Sequence, residues 1–145
     1  MARAVQIVRH GEPEELVLAE VRAPAPAVDE ITIDVHAAGV NFADLLVVRG
    51  TYQNLAPLPF SPGKEVAGIV SAVGERATEF QVGDHVLAHV ENGGYVDQIT
   101  LRSSLCHPMP DGLDAADGIG LGLAFQTAHS RLDARAPARR ARAGR

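Results

Sequence analysis

The chain has 145 residues, 46% of them hydrophobic, and a formal net charge of −5. This length fits one domain with a hydrophobic core, and the apolar runs fall short of the ~20 residues that a membrane-spanning helix needs. The single cysteine, Cys106, excludes an internal disulfide and any zinc site built on several cysteines. We expect Cys106 to be a partly buried residue at a strand end rather than a reactive thiol.

Charge is distributed unevenly along the chain. Residues 1–130 hold 7 Lys and Arg against 17 Asp and Glu, whereas residues 131–145 hold 6 Arg and 1 Asp. The acidic body argues against nucleic-acid binding, which needs clustered basic side chains. We predict one domain over residues 1–130 and a solvated, disordered or aberrant Arg/Ala-rich tail over residues 131–145; a basic arm for nucleic acid or acidic lipid is the alternative. The first residues do not resemble a signal peptide, so a cytoplasmic location is expected.

Strands dominate the predicted elements. Alternating or continuous apolar runs predict strands over residues 5–8, 16–21, 30–36, 66–73, 85–90 and 94–101. In the third of these, the alternation places Ile31, Ile33 and Val35 on one face. The spacing of the runs is typical of a small all-β barrel, so we predict a mainly β domain with short helices.

Two short helical regions interrupt the strands. Asn41 is a candidate N-cap for a helix over residues 42–48, with Phe42, Leu45 and Leu46 on one face and Gly50 after its end. A second helical region begins near Asp114 and resumes over residues 122–129. Within this second region, residues 118–123 are expected to form a flexible inter-domain connection.

An ordered set of motifs carries a resemblance to a known family. The segments are AAGVNFAD at 37–44, RGTY at 49–52, PLPFSPGKEVAG at 57–68, VSAVG at 70–74, VGDHV at 82–86, GGY at 93–95 and PDGL at 110–113. Together they resemble the zinc-independent quinone oxidoreductase (zeta-crystallin-like) branch of the medium-chain dehydrogenase/reductase superfamily, over roughly residues 3–129. The resemblance implies a GroES-like distorted β-barrel, the N-terminal domain of alcohol-dehydrogenase-type enzymes, which normally precedes a Rossmann domain that binds NADPH.

The cofactor-binding half has no counterpart in the sequence. A Rossmann domain is marked by Gly-x-Gly-x-x-Gly between a strand and a helix, whose first amides hold the pyrophosphate. Residues 118–123 come closest, with Gly118 and Gly120 correctly spaced but Leu123 in the third place. We therefore predict that the Rossmann domain is missing from this chain.

The metal ligands of related zinc enzymes are also absent. Those enzymes place Cys and His where this sequence has Asn41 and Lys64, and the six histidines follow no ligand spacing. No metal site is therefore predicted. Lys64 and Glu65 are expected to be an exposed loop pair, with a polar pair in the cleft as the alternative.

Three residues match positions that line the active cleft in the family. Tyr52 matches a tyrosine whose phenol is catalytic in related enoyl-thioester reductases, Asn41 an asparagine near the nicotinamide ribose, and Thr127 a threonine at the nicotinamide amide. Each has a structural alternative: Tyr52 packing at a loop edge, Asn41 capping a helix, and Thr127 packing in a helix. Leu46 stands where quinone reductases often have a second tyrosine, which weakens any prediction of quinone preference.

The resemblance implies hydride transfer from NADPH to a quinone or another activated C=C or C=O acceptor. With only the substrate side present, we expect the chain to be inactive alone and to bind NADPH poorly. The expected partners are a small quinone-like or enone molecule in the full-length parent and further copies of the chain in a homo-oligomer, with no nucleic acid or membrane. The alternatives are a GroES-like binding module without catalysis and a non-functional, truncated or frameshifted remnant with Leu121, Leu123 and Phe125 exposed.

Overall fold

The computed structural model describes residues 1–22 and 25–135. The strands of this part of the chain are β1 (Ala2–Gln6), β2 (Val17–Val21), β3 (Glu30–Ala38), β4 (Glu65–Val73), β5 (His85–His89), β6 (Gln98–Arg102) and β7 (Cys106–Pro108). Its α-helices are α1 (Phe42–Val48), α2 (Ala115–Leu121) and α3 (Leu123–Arg135). None of the described helices is both long and apolar enough to cross a bilayer. The predicted mainly β domain with short helices is confirmed.

Five strands form the main sheet in the order β6-β3-β4-β5-β7, and every neighbouring pair is antiparallel. β1 and β2 form a separate antiparallel pair, which a single bridge between Ala4 and Val96 joins to the segment before β6. Within the described residues β6 and β7 remain at the edges, so the strand pairing does not close into a complete barrel. Two irregularities interrupt the β3–β4 register, between Thr32 and Ile33 and between Val35 and Ala37.

The main core lies against β3, β4 and β5. Ile31, Ile33 and Val70 are almost fully buried, and Val35 packs against the same cluster. The predicted apolar face of β3 is therefore confirmed. Cys106, which begins β7, is buried in this core, and burial raises the pKa of its thiol to about 12. The expectation of an inert strand-end cysteine agrees with this placement.

Helix α1 presents a different face from the one predicted. Val47 and Val48 are its buried apolar residues, whereas the Phe42 side chain is 74% exposed. Asp44 is buried instead, because its carboxylate accepts hydrogen bonds from the Asn41 N–H and the Tyr95 hydroxyl group. The polar bonds at the start of this short helix thus outweigh the apolar pattern.

The region after residue 113 is more regular than expected. The segment predicted as a flexible connection is mostly helical: the Asp114 carboxylate accepts from the Asp117 N–H at the start of α2, and buried Gly118 packs against Met109. The helical run is interrupted only at Gly122, after which α3 begins. Helix α3 crosses the predicted boundary at residue 130 and reaches Arg135, while residues 136–145 lie outside the described part. The predicted division into domain and tail stays a prediction.

Candidate functional site

A cavity of about 520 Å³ lies where α1, the segment after it, the starts of β4 and α3, and the end of β5 meet. It is lined by Ala43, Tyr52, Lys64, His89, Val90, Glu91, Leu123, Gln126 and Thr127. Sites for small molecules typically enclose about 300–1,000 Å³. Two of the three predicted site residues, Tyr52 and Thr127, therefore share one cavity although they are far apart in the sequence.

Tyr52 is held by the end of α1. Its backbone N–H and that of Thr51 both donate to the Leu46 carbonyl oxygen, at 3.2 and 2.9 Å. The half-buried ring packs against the cluster that contains Ile7 and Val47 and also lines the cavity. Tyr52 can therefore both pack at the loop edge and contact a bound molecule, so its two interpretations are compatible.

Lys64, the only lysine of the chain, lies above this ring. Its ammonium nitrogen is 4.3 Å from the Tyr52 ring centroid, a cation–π arrangement. The same nitrogen donates to the carbonyl oxygen of Glu91 at 3.0 Å and to its carboxylate at 3.3 Å. The Lys64 side chain is only 9% exposed, so the expectation of an exposed loop pair is wrong. Packing of the β4 start under the cavity buries both Lys64 and Glu65.

Asn41 is the N-cap residue of α1, as predicted, and lies at the edge of the site rather than in the cavity lining. Its backbone N–H donates to the Asp44 carboxylate at 2.8 Å, while the Asp44 N–H donates to the Asn41 carbonyl oxygen at 2.9 Å. Its side-chain amide donates to Oε1 of Glu65 at 3.0 Å. Asn41 therefore joins the start of α1 to the floor of the cavity.

The Glu65 carboxylate connects Asn41 with the first residue of α3. Oε2 of its carboxylate accepts the Leu123 N–H at 2.7 Å, at the first residue of α3. Nε2 of His89, a cavity residue, lies 3.8 Å from the same oxygen and is buried without a hydrogen-bond partner among the described atoms. Thr127 lies four residues after Leu123 and is exposed on α3. Glu65 thereby links Asn41 with the helix that carries Thr127.

A second buried carboxylate lies beside Asn41. The Tyr95 hydroxyl group donates to Oδ2 of Asp44 at 3.0 Å. Burial, reinforced by the negative charges of Asp44 and Glu65, raises the pKa of Tyr95 well above its ordinary value. Tyr95 therefore stays a neutral donor to Asp44 over the whole physiological pH range.

No group of three or more His, Cys, Asp and Glu side chains that could hold a metal ion occurs among residues 1–22 and 25–135. At the positions of the zinc ligands in related enzymes, Asn41 donates to Glu65 and Lys64 to Glu91. Both side chains act as hydrogen-bond donors here.

Comparison with known proteins gives the family of this domain. The alcohol dehydrogenase GroES-like domain family matches residues 27–129, most of the chain. The chain is an alcohol dehydrogenase GroES-like domain. Rat quinone oxidoreductase is 37% identical to it over 130 residues, which are 88% of this chain and 40% of the relative.

Solved structures agree with this assignment of the GroES-like domain. A probable oxidoreductase from Mycobacterium abscessus superposes with a TM-score of 0.85 at 33% identity, covering 91% of this chain and 42% of that one. Escherichia coli quinone oxidoreductase, solved in complex with NADPH, gives 0.80 at 27% identity, covering 91% and 40%. The predicted resemblance to the quinone oxidoreductase branch is confirmed. The chain spans about two fifths of the length of these relatives.

Several residues of the GroES-like domain's cavity were not among the predicted site residues. His89, Glu91 and Gln126 line it, and Glu65 lies beneath it. The sequence gives one usable signal: the pair Lys64 and Glu65 stands within the family's Pro-Gly-x-x-x-x-Gly segment, directly before a buried strand. His89 carries no such signal, because only the pairing of β5 with β4 brings it opposite Glu65.

Proposed function

We propose that this chain forms the acceptor side of an NADPH-dependent quinone oxidoreductase, which reduces a quinone or another activated C=C or C=O group. One observation carries the proposal: Tyr52 and Thr127, matched to cleft residues of the family, line the same cavity together with Lys64. Similarity to quinone oxidoreductases supports the substrate class. The proposed partner is a small molecule of this kind, and a homo-oligomer and a cytoplasmic location stay predictions.

The chemistry of the donors suits a nicotinamide group. Thr127 carries an exposed hydroxyl that can both donate to and accept from a carboxamide. Asn41, joined to the start of α3 by two hydrogen bonds through Glu65, is the proposed contact for the ribose. When bound, NADPH supplies the hydride. The 145 residues contain no Gly-x-Gly-x-x-Gly segment for the pyrophosphate, so we propose that the chain alone binds NADPH poorly and does not turn it over.

Tyr52 is the proposed hydrogen-bond or proton donor to the acceptor. Reduction places negative charge on the acceptor oxygen, and a donor aimed at that oxygen stabilises the charge. Tyr52 and Lys64 both line the cavity, and the positive charge of the Lys64 ammonium, 4.3 Å from the Tyr52 ring centroid, acts in the same direction. This polarisation requires no metal ion, in line with the proposed zinc independence.

Binding of hydroquinone, a soluble product of the proposed reaction, tests this assignment. A titration of the ¹⁵N-labelled chain under nitrogen should shift the amide signals of Tyr52, Lys64 and Thr127 first. Tyr52→Phe, which removes only the phenol oxygen, should weaken binding about fivefold to tenfold, the loss of one hydrogen bond. Ser104→Ala, an exposed change outside the cavity, is the matched control. Equal affinity of the Tyr52→Phe variant would overturn the role of Tyr52.

The predicted inactivity of the chain alone is tested separately. The purified chain is incubated with NADPH and a quinone, and the NADPH absorbance is followed against a sample without protein. We expect no difference. Turnover above the background rate would overturn this part of the proposal.

A further inference from the structure

The carboxylate of Glu65 is deeply buried, and its one ion-pair contact among the described residues is with His89, at 3.8 Å. The residue is 2% exposed at the first position of β4. Oε1 accepts from the Asn41 side-chain amide at 3.0 Å, and Oε2 accepts from the Leu123 N–H at 2.7 Å. Both oxygens are thus occupied by donors from different elements.

An ionised carboxylate suits these two donors because it only accepts hydrogen bonds. The Leu123 N–H belongs to the first turn of the 13-residue helix α3, where amide groups lack partners within the helix. A negative charge at this end also interacts favourably with the helix dipole. Glu65 therefore satisfies the start of α3 both as an acceptor and as a charge.

The space around this carboxylate is closed by two glycines. A Cβ atom at Gly39 would collide with Oε1, and one at Gly122 would collide with Oε2. Neither glycine has a positive φ. The absence of a side chain at both positions lets the backbone before α1 and the backbone before α3 come close to the two oxygens of Glu65.

We propose that Glu65 is a positioning residue that fixes the start of α3 and the Asn41 amide relative to the cavity. Thr127 lies four residues after Leu123, one turn along the same helix face, so anchoring Leu123 sets where the Thr127 hydroxyl is presented. The inference rests on the proposed function for the role of Thr127, but the anchoring of α3 by Glu65 can be measured without any ligand.

The substitution Glu65→Gln keeps the shape and replaces one acceptor oxygen by an NH₂ donor. That NH₂ must face either the Leu123 N–H, which can only donate, or the Asn41 amide, which can accept only by turning its Oδ1 inward. We expect hydrogen exchange of the Leu123 amide to accelerate about tenfold or more, the loss of a hydrogen bond to a charged group. The Thr127 amide signal should shift as well. Glu75→Gln, at an exposed glutamate just after β4, is the matched control and should change neither.

Binding affinity is measured for nicotinamide mononucleotide and for hydroquinone, each added separately. With Glu65→Gln, binding of the mononucleotide should weaken at least fivefold, whereas hydroquinone, which is assigned to Tyr52, should lose less. Unchanged Leu123 exchange, or unchanged mononucleotide affinity despite faster exchange, would overturn the positioning role. If the wild type binds neither compound while Leu123 exchange still accelerates in Glu65→Gln, the proposed function fails and the anchoring of α3 stands.

Two further measurements keep the inference testable if Glu65→Gln does not fold. In the wild type, the Leu123 amide should exchange more slowly than the amide of Ala124, the next residue of the same first turn. Gly39→Ala, whose Cβ would meet only the Glu65 side chain and lies far from α3 in the sequence, should accelerate Leu123 exchange in the same way. Equal rates for the two amides in the wild type would contradict the bond to Glu65.

Discussion

Replacing Lys64 by methionine removes the ammonium group above the Tyr52 ring and keeps a side chain of similar length. Three interactions are lost: the hydrogen bond to the Glu91 carbonyl, the ion pair with the Glu91 carboxylate and the cation–π contact. The hydrogen bond contributes about 1 kcal/mol. The ion pair contributes about 0.5 kcal/mol, because the Glu91 side chain is 58% exposed, and the cation–π contact contributes about 1 kcal/mol. Water can replace the ammonium at the exposed Glu91, so we expect a net loss of about 1.5 kcal/mol.

Urea unfolding measures this loss. With a dependence of about 1.5 kcal/mol per M, the midpoint should fall by about 1 M. Lys64→Arg, which keeps a cation over the ring, should recover at least half of that shift. Because Lys64 is the only lysine, lysine-specific labelling gives one side-chain signal, and its terminal CH₂ protons should be shifted upfield by the Tyr52 ring. An unchanged midpoint in Lys64→Met, or an unshifted side-chain signal in the wild type, would refute the arrangement.

Three further predictions concern the core. Gly68→Ala places a Cβ against the Asp34 carbonyl oxygen and should lower the free energy of unfolding by at least about 3 kcal/mol. Gly83→Ala meets open space at φ +99° and should lower it by about 1 kcal/mol. Equal urea midpoints for the two variants would contradict this difference. Ile33→Ala, at a fully buried position, should lower the free energy of unfolding by about 2–5 kcal/mol, and a loss below 1 kcal/mol would speak against the assigned core. Burial, with a smaller effect of Glu79, raises the pKa of Cys106 to about 12, so iodoacetamide should label Cys106 slowly at pH 8 and quickly in urea. Because the unfolded thiol ionises at lower pH, stability should fall as the pH rises from about 9 toward 12; rapid labelling of the native chain would contradict the burial.

The strands were predictable because their apolar pattern reflects the core directly. Ile31 and Ile33 are buried as the alternation requires, although Thr32 between them is buried as well. The burial of α1 was not predictable from its apolar residues, because the side chain turned inward is Asp44 and its partner, Tyr95, is remote in the sequence. Helix α2 was underestimated because Gly118 and Gly120 indicate a break, whereas contact with Met109 favours a small residue inside a helix.

Some residues of the candidate site were predictable from the sequence and others were not. Asn41, Tyr52 and Thr127 followed from the family resemblance, and the structure brings Tyr52 and Thr127 to one cavity with Asn41 at its edge. Burial of Lys64 and Glu65 depends on long-range contacts to Glu91 and the start of α3, which no local pattern encodes.

A crystal structure of the chain with hydroquinone bound tests the central claim most directly. The proposed acceptor side predicts that hydroquinone lies in the cavity between Tyr52 and Thr127, with one of its oxygens within hydrogen-bond distance of the Tyr52 phenol oxygen. Hydroquinone bound elsewhere on the domain, or bound in the cavity without contact to the Tyr52 phenol, would contradict the claim.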